Sequence, residues 1–222
     1  MVIRTLSVSL TLATCFMTGS LLVGCGAEQP QGPARTAARW NGCADCHGEN
    51  GEGNAAFDAP PIAGLSRWYV DEQLKKFQDG RRGAHIDDTH GLRMRGMVRT
   101  LTNAAETTEI ADFIATLPPV APPHTLTGGD AEKGELLYKP CVACHGDKGQ
   151  GKEAMGGPSL AHQADWYLKR QLMNFKTGVR GTANGDAFGA RMKPMADTLA
   201  DEAAVDDVIA YIKTLSEEPT DG

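Results

Sequence analysis

Apolar residues recur at helical spacing in two stretches that lie 98 residues apart. Ile110, Phe113, Ile114 and Leu117 follow the i, i+3, i+4, i+7 rule, and Val208, Tyr211, Ile212 and Leu215 repeat it. Each stripe predicts a closing helix. The first starts at Asn103, an N-cap residue with Glu106 three positions on as a capping box, and the second starts at Asp201. A middle helix is predicted from about Ser66 to Asp79, ending at Gly80, and its second copy ends at Gly178. Between them lie Gly-rich segments, read as loops, with few of the β-branched alternations that mark strands. The pattern is all-α.

The two stripes belong to a longer repeat. Shifting the chain by 98 places Cys43, Cys46 and His47 on Cys141, Cys144 and His145, and the register holds without a gap to Leu117 and Leu215. Pro60 falls on Pro158, Trp68-Tyr69 on Trp166-Tyr167, Gln73-Leu74 on Gln171-Leu172 and Arg82-Gly83 on Arg180-Gly181. Twenty-eight of 75 aligned positions are identical, so the chain is a tandem duplication. The predicted units span 35–117 and 130–217, with a tail at 218–222. Between the units, Pro118 to Gly129 reads PPVAPPHTLTGG, a Pro-rich linker that stops the preceding helix and forms an extended spacer.

The amino terminus stands apart. Arg4 is its one charge, and the apolar run LSVSLTLATCFMTGSLLVG leads to Cys25, the pattern of a secretory signal over 1–24. Leu22 to Cys25 resembles a bacterial lipobox, which implies that Cys25 becomes the lipidated first residue of the mature chain. An uncleaved anchor helix and plain secretion are the alternatives. Residues 25–34, small and polar, read as a tether. Lipid or anchor would leave a water-soluble body on the periplasmic side of a membrane.

Composition narrows the function classes. The chain of 222 residues has 41% hydrophobic, 23% charged and 6% aromatic residues, neither disordered nor polytopic. Its formal charge is −6, and −7 once residues 1–24 and their single arginine are gone, which speaks against nucleic acid as a partner. Each unit offers few large apolar residues for its length, so something else must help fill each core.

The cysteines supply the candidate. Of six, Cys15 lies in the signal run, Cys25 ends it, and the other four form two Cys-x-x-Cys-His strings. That string reads as a c-type haem attachment. Two thiols three positions apart can each form a thioether to the macrocycle, and the adjacent histidine projects under it toward the iron. Four thiolates on one zinc would leave both histidines unexplained. A thioredoxin-like pair would want a βαβ context that is absent. Two haem c groups, attached at Cys43, Cys46, Cys141 and Cys144 and ligated by His47 and His145, account for all of it.

A sixth iron ligand is also on offer. Met94 and Met97 in one unit, and Met192 and Met195 in the other, lie 47 and 50 residues past their histidines. Met/His ligation is the electron-transfer arrangement. His85 and His90 compete in unit one, but Ala183 and Phe188 stand at the matching places in unit two.

The strings CADCHGENGEG, CVACHGDKGQG and YLKRQLMNFKTGVRG, with Met-x-x-Met before the acidic last helix, resemble dihaem class I cytochromes of the cytochrome c4 type over about residues 33–217. The resemblance implies two tandem class I cytochrome c domains. It favours Met94 and Met192 as axial ligands, and assigns the carbonyls of Pro60 and Pro158 to the histidine Nδ1–H groups. It places Arg82 and Arg180 where a haem propionate could be neutralised, with a solvated arginine as the alternative. Trp68, Trp166, Tyr69 and Tyr167 are read as packing. Thr36 stands where unit two has the small residue Gly134, which predicts a looser crossing of first and last helices in unit one.

The expected function is single-electron transfer without a substrate site, since a six-coordinate iron has no open position. By resemblance, the donor would be a quinol-oxidising complex or a dehydrogenase and the acceptor a terminal oxidase. A relay subunit of a periplasmic dehydrogenase or respiratory complex is the alternative, and a haem enzyme with a non-methionine ligand a more distant one. Arg81, Arg82, Arg93, Arg95 and Arg99 make the end of unit one basic, which suggests docking of acidic partners and a higher potential for the first haem.

Overall fold

The computed structural model describes residues 33–216. The signal segment 1–24, Cys25 and the tail 218–222 lie outside them. In the first half, α1 runs Pro33–His47, α2 Arg67–Asp79, α3 Thr89–Val98 and α4 Ala104–Ile114. In the second, α5 covers Ala131–Tyr138, α6 Val142–His145, α7 Asp165–Thr177, α8 Ala187–Asp197 and α9 Glu202–Thr214. Short 3-10 turns at Ala55–Phe57, Lys139–Cys141 and Glu153–Met155 complete the described residues, whose only extended pairings are two isolated bridges.

Caps set the helix ends. Asn103 accepts from the Glu106 amide at 3.1 Å, and Asp201 from the Ala204 amide at 2.9 Å. Glu106 does not complete a capping box. Its carboxylate reaches one residue further back, to the Thr102 amide at 2.7 Å, and binds Arg35 and Arg39 of α1.

The methionine segments are helices, not the Gly-rich loops expected from sequence. Asp88 and Asp186 each fold back to accept from the amide of the glycine three residues on, both at 2.9 Å, and so open α3 and α8. Pro194 sits inside α8 and Gly91 and Gly96 inside α3, the residues that disguise a helix in sequence.

Each half has its own core. Val70, Leu74, Phe77, Ile110 and Ile114 pack with Trp40 in the first, and Leu168, Val205, Val208, Ile209 and Ile212 with Tyr138 in the second. The two helix crossings differ as Gly134 and Thr36 imply. A Cβ on Gly134 would stand 2.0 Å from the Asp207 carbonyl oxygen, so α5 and α9 meet backbone to backbone. In the first half the Thr36 hydroxyl donates to Glu109, and Arg39 spans to the same carboxylate at 2.9 Å. Long polar side chains there replace close approach.

The Pro-rich linker is pinned. Asp165, almost fully buried at the start of α7, accepts from the Thr125 amide at 2.6 Å, the Thr125 hydroxyl at 2.7 Å and the Leu126 amide at 2.9 Å. Leu126 then packs into the second core.

Candidate cofactor site

Both Cys-x-x-Cys-His strings end a helix. Cys43, Cys46 and His47 close α1. Cys144 and His145 lie in α6, and Cys141 ends the 3-10 turn that Pro140 introduces before it. A spacing of three on a helix turns both sulfurs to one side. All four are free, half-buried thiols. Burial, with the neighbouring thiol adding to it, pushes Cys43 and Cys141 up to about 11. A redox-active dithiol has the opposite shift. Among the described residues no three of His, Cys, Asp and Glu come together to hold a metal, so the cysteine pairs do not meet on one zinc.

Each histidine is aimed by a proline. Nδ1 of His47 is 2.8 Å from the Pro60 carbonyl oxygen, and Nδ1 of His145 is 2.8 Å from that of Pro158. A carbonyl only accepts, so Nδ1 carries the proton and Nε2 keeps its lone pair, the state of a metal-ligating imidazole. Burial holds both rings below the ordinary histidine value, although the proline carbonyls act in the other direction. Gly53 and Gly151 make this geometry possible. Both have positive φ, and a Cβ on either would come within 2.5 Å of the backbone nitrogen that follows the proline.

The histidines open into one continuous cavity of about 570 Å³ that runs through both halves. Met94, Met97 and Met192 line it, whereas Met195 does not. Met94 also packs against the first core, while Met97 is about half exposed. His90 lies at the cavity wall, 3.6 Å from Asp58 and 2.9 Å from Arg93. His85 does not line it and instead faces Asp87 at 3.7 Å.

In the wall of the cavity the halves meet through a matched set of polar side chains. Arg82 donates to Gln73 at 2.8 Å, to Gln171 at 3.1 Å and to the Tyr167 hydroxyl at 2.6 Å. Arg180 donates to Gln171 at 2.6 Å and to Gln73 at 2.9 Å. Both guanidiniums are buried, which rejects the solvated alternative, and neither is ion-paired to a carboxylate among the described residues. Burial tends to push the Tyr69 hydroxyl up, but Arg180 and Arg82 together outweigh it and hold it below its ordinary value. Gln73 and Gln171 were missed as site residues by sequence reasoning. Their signal was available: each is a glutamine identical at the matching place of the repeat.

These features fit haem c. The cavity is mostly apolar, two buried imidazoles present free Nε2 atoms to it, and paired thiols stand beside each. Two buried cations without carboxylate partners are costly unless an anionic group faces them. A haem propionate is such a group.

The cytochrome c family profile matches residues 34–118 and again 131–216. The chain belongs to the cytochrome c family. It is 33% identical over 157 residues to the thiosulfate dehydrogenase electron acceptor of Thiomonas intermedia, covering 66% of this chain and 67% of the relative. It is 30% identical over 182 residues to cytochrome c4 of Pseudomonas aeruginosa, covering 79% and 83%. The solved cytochrome c4 of Acidithiobacillus ferrooxidans superposes with a TM-score of 0.63 at 27% identity, covering 80% of this chain and 99% of that one. This cytochrome is therefore a dihaem c-type electron carrier of periplasmic redox chains, with two covalently bound haem c groups. The relatives it matches are named as an electron acceptor and a cytochrome.

The basic end of the first domain is smaller than the sequence suggests. Arg81 donates to the Gly185 carbonyl at 3.3 Å and pairs with Asp79 at 2.7 Å, and Arg82 lies in the central cluster. Arg93 and Arg99 are exposed and Arg95 is half-buried.

Proposed function

We propose that this cytochrome is the electron-relay partner of a periplasmic dehydrogenase, passing single electrons through two His/Met-ligated haems to a respiratory acceptor. Cys43 and Cys46 hold the first haem and Cys141 and Cys144 the second. His47 with Met94, and His145 with Met192, are the iron ligands. When bound, each haem supplies a one-electron ferric/ferrous couple. The chain's residues orient the imidazoles through Pro60 and Pro158, exclude water with the two cores, and hold propionate charge at Arg82 and Arg180.

The observation that carries the reading is the single cavity lined by both ligand sets, with the two arginines in its wall. A continuous site suits a relay in which an electron enters at one domain and leaves from the other. The packing of Met94 against the first core and the exposure of Met97 favour the first methionine, as does the position of Met192 at the cavity wall. The similarity to electron acceptors of thiosulfate dehydrogenase in two organisms favours a dehydrogenase as donor over a free carrier between quinol oxidation and a terminal oxidase. Leu92, Arg93 and Met97 are exposed on α3 and Arg99 just past its end, an apolar and basic surface suited to an acidic redox partner. Lipidation at Cys25 would keep the body at the membrane surface.

Thiosulfate with and without a purified thiosulfate dehydrogenase tests the reading. Thiosulfate alone should leave the oxidised protein unchanged, and adding the dehydrogenase should reduce both haems. Reduction by thiosulfate alone would make the chain an enzyme, and no reduction with the dehydrogenase would remove this donor. Loss of membrane association in Cys25→Ala, with the signal still cleaved in wild type, tests the lipid.

A further inference from the structure

The halves repeat each other, but the grip between them is one-sided. Four contacts from the first domain converge on residues 185–188, where α8 begins. The Lys76 ammonium lies 2.7 Å from the Asp186 carboxylate, and both side chains are at most 4% exposed. Arg81 donates to the Gly185 carbonyl at 3.3 Å. The Phe188 ring lies 5.5 Å from Lys76 Nζ and meets Trp68 edge-on at 6.4 Å. The same oxygen of Asp186 accepts both from Lys76 and from the Gly189 amide, so the helix cap and the interdomain ion pair are one structure.

The mirror-related segment lacks this grip. Asp88 caps α3 as Asp186 caps α8, but the position matching Lys76 is Asn174 and that matching Arg81 is Val179. The second domain holds the first elsewhere, through Arg170 on Asp58 at 2.5 Å. A buried pair contributes little net stability against an apolar alternative, but removing one partner is costly because the other is left charged and dry. Such a pair is better suited to fixing one arrangement than to strengthening the fold.

We infer that Lys76, seconded by Arg81, is a positioning residue for Met192: the first domain holds the start of α8 and so sets how firmly the second haem keeps its methionine. The inference rests on the reading of Met192 as axial ligand. Asp186 and Met192 share α8, six residues apart. Release of the cap would let the helix start shift, with Pro194 already depriving its interior of one backbone hydrogen bond. In the first domain the Asp88 cap has no ion pair from the second domain among the described residues, and Arg170 reaches α3 only through Asp58, which faces His90 and Arg93, so loss of the Lys76 charge should leave Met94 in place.

The test uses the reduced holoprotein and the shifted proton signals of iron-bound methionine methyls, one per haem, assigned with Met94→Leu and Met192→Leu. Displacement by added imidazole is then followed at each haem separately in the oxidised state. In Lys76→Met, imidazole should displace the second methionine at about tenfold lower concentration, the equivalent of one charge-assisted hydrogen bond. The first haem should be unchanged. Lys76→Arg should restore the wild-type value, and Arg81→Val, which copies the second domain, should shift it the same way by less and provides the measurement if Lys76→Met fails to fold. An equal change at both haems, or none at the second, overturns the inference. If Met192→Leu removes no methyl signal, it is the ligand reading that fails instead.

Discussion

Arg82 and Arg180 share the same two acceptors across the boundary between the domains, each donating to both Gln73 and Gln171. Two cations thus sit on two amide oxygens in the wall of the cavity. Replacing Arg82 with methionine removes a positive charge from the first haem's surroundings and so favours the ferric state. The expected result is a fall in that haem's potential on the order of 60 mV, the one-electron equivalent of 1.4 kcal/mol. Potentiometric titration of the variant checks it, with Arg180→Met giving the matching fall at the second haem.

Asp165 ties the linker to the second domain with three hydrogen bonds to Thr125 and Leu126. Asp165→Ala should cost about 2 kcal/mol, because it leaves buried amides without an acceptor. It should also expose 118–129 to proteases, with faster hydrogen exchange at Thr125 and Leu126.

The same carboxylate gives a pH dependence. Burial tends to push Asp165 up, but the Leu126 and Thr125 groups outweigh it and hold it below the ordinary carboxylate value. As pH falls below about 4, the unfolded chain therefore takes up a proton before the folded one does. The stability Asp165 contributes is complete above that pH and is lost as pH drops through the folded value. Wild type should lose stability on acidification more steeply than Asp165→Asn, as measured by denaturant unfolding from pH 5 to pH 2.

Sequence alone carried the cofactor site a long way, because covalent attachment needs a fixed string and duplication printed it twice. Cys43 and His47 are local enough in sequence for their geometry to be read from spacing, whereas the part of Pro60 came only through the family resemblance. The helical state of Met94 and Met192 was hidden, since the glycines and Pro194 that suggest loops are compatible with a helix once an aspartate caps it. Lys76 and Asp186 were hidden for another reason. Their partners lie in the other domain, and no periodicity within one unit reports a contact between two.

Gly134 allows α5 and α9 to meet directly. Gly134→Ala would drive a Cβ into the Asp207 carbonyl and should destabilise the second domain by about 1–3 kcal/mol. Thr36→Gly, at the matching place, should cost less, since the Thr36 to Glu109 bond is one of several polar links there. Calorimetry that resolves the two domains distinguishes the variants.

Arg93 on α3 and Arg99 just past its end should matter for encounter rather than for the haems. Arg93→Gln with Arg99→Gln is expected to slow electron transfer from an acidic partner several-fold at low salt, with the difference vanishing at high salt. Stopped-flow rates against ionic strength measure it, and unchanged potentials would show that the haems themselves were untouched.

The central claim is that one chain carries two haems, each held by histidine and methionine. A redox titration of the purified protein with its spectrum, combined with a haem count per chain, tests it most directly. The expected result is two haems, two one-electron steps, and the methionine–iron absorption band at both in the oxidised state. One haem per chain, or a second haem without the band, would contradict it.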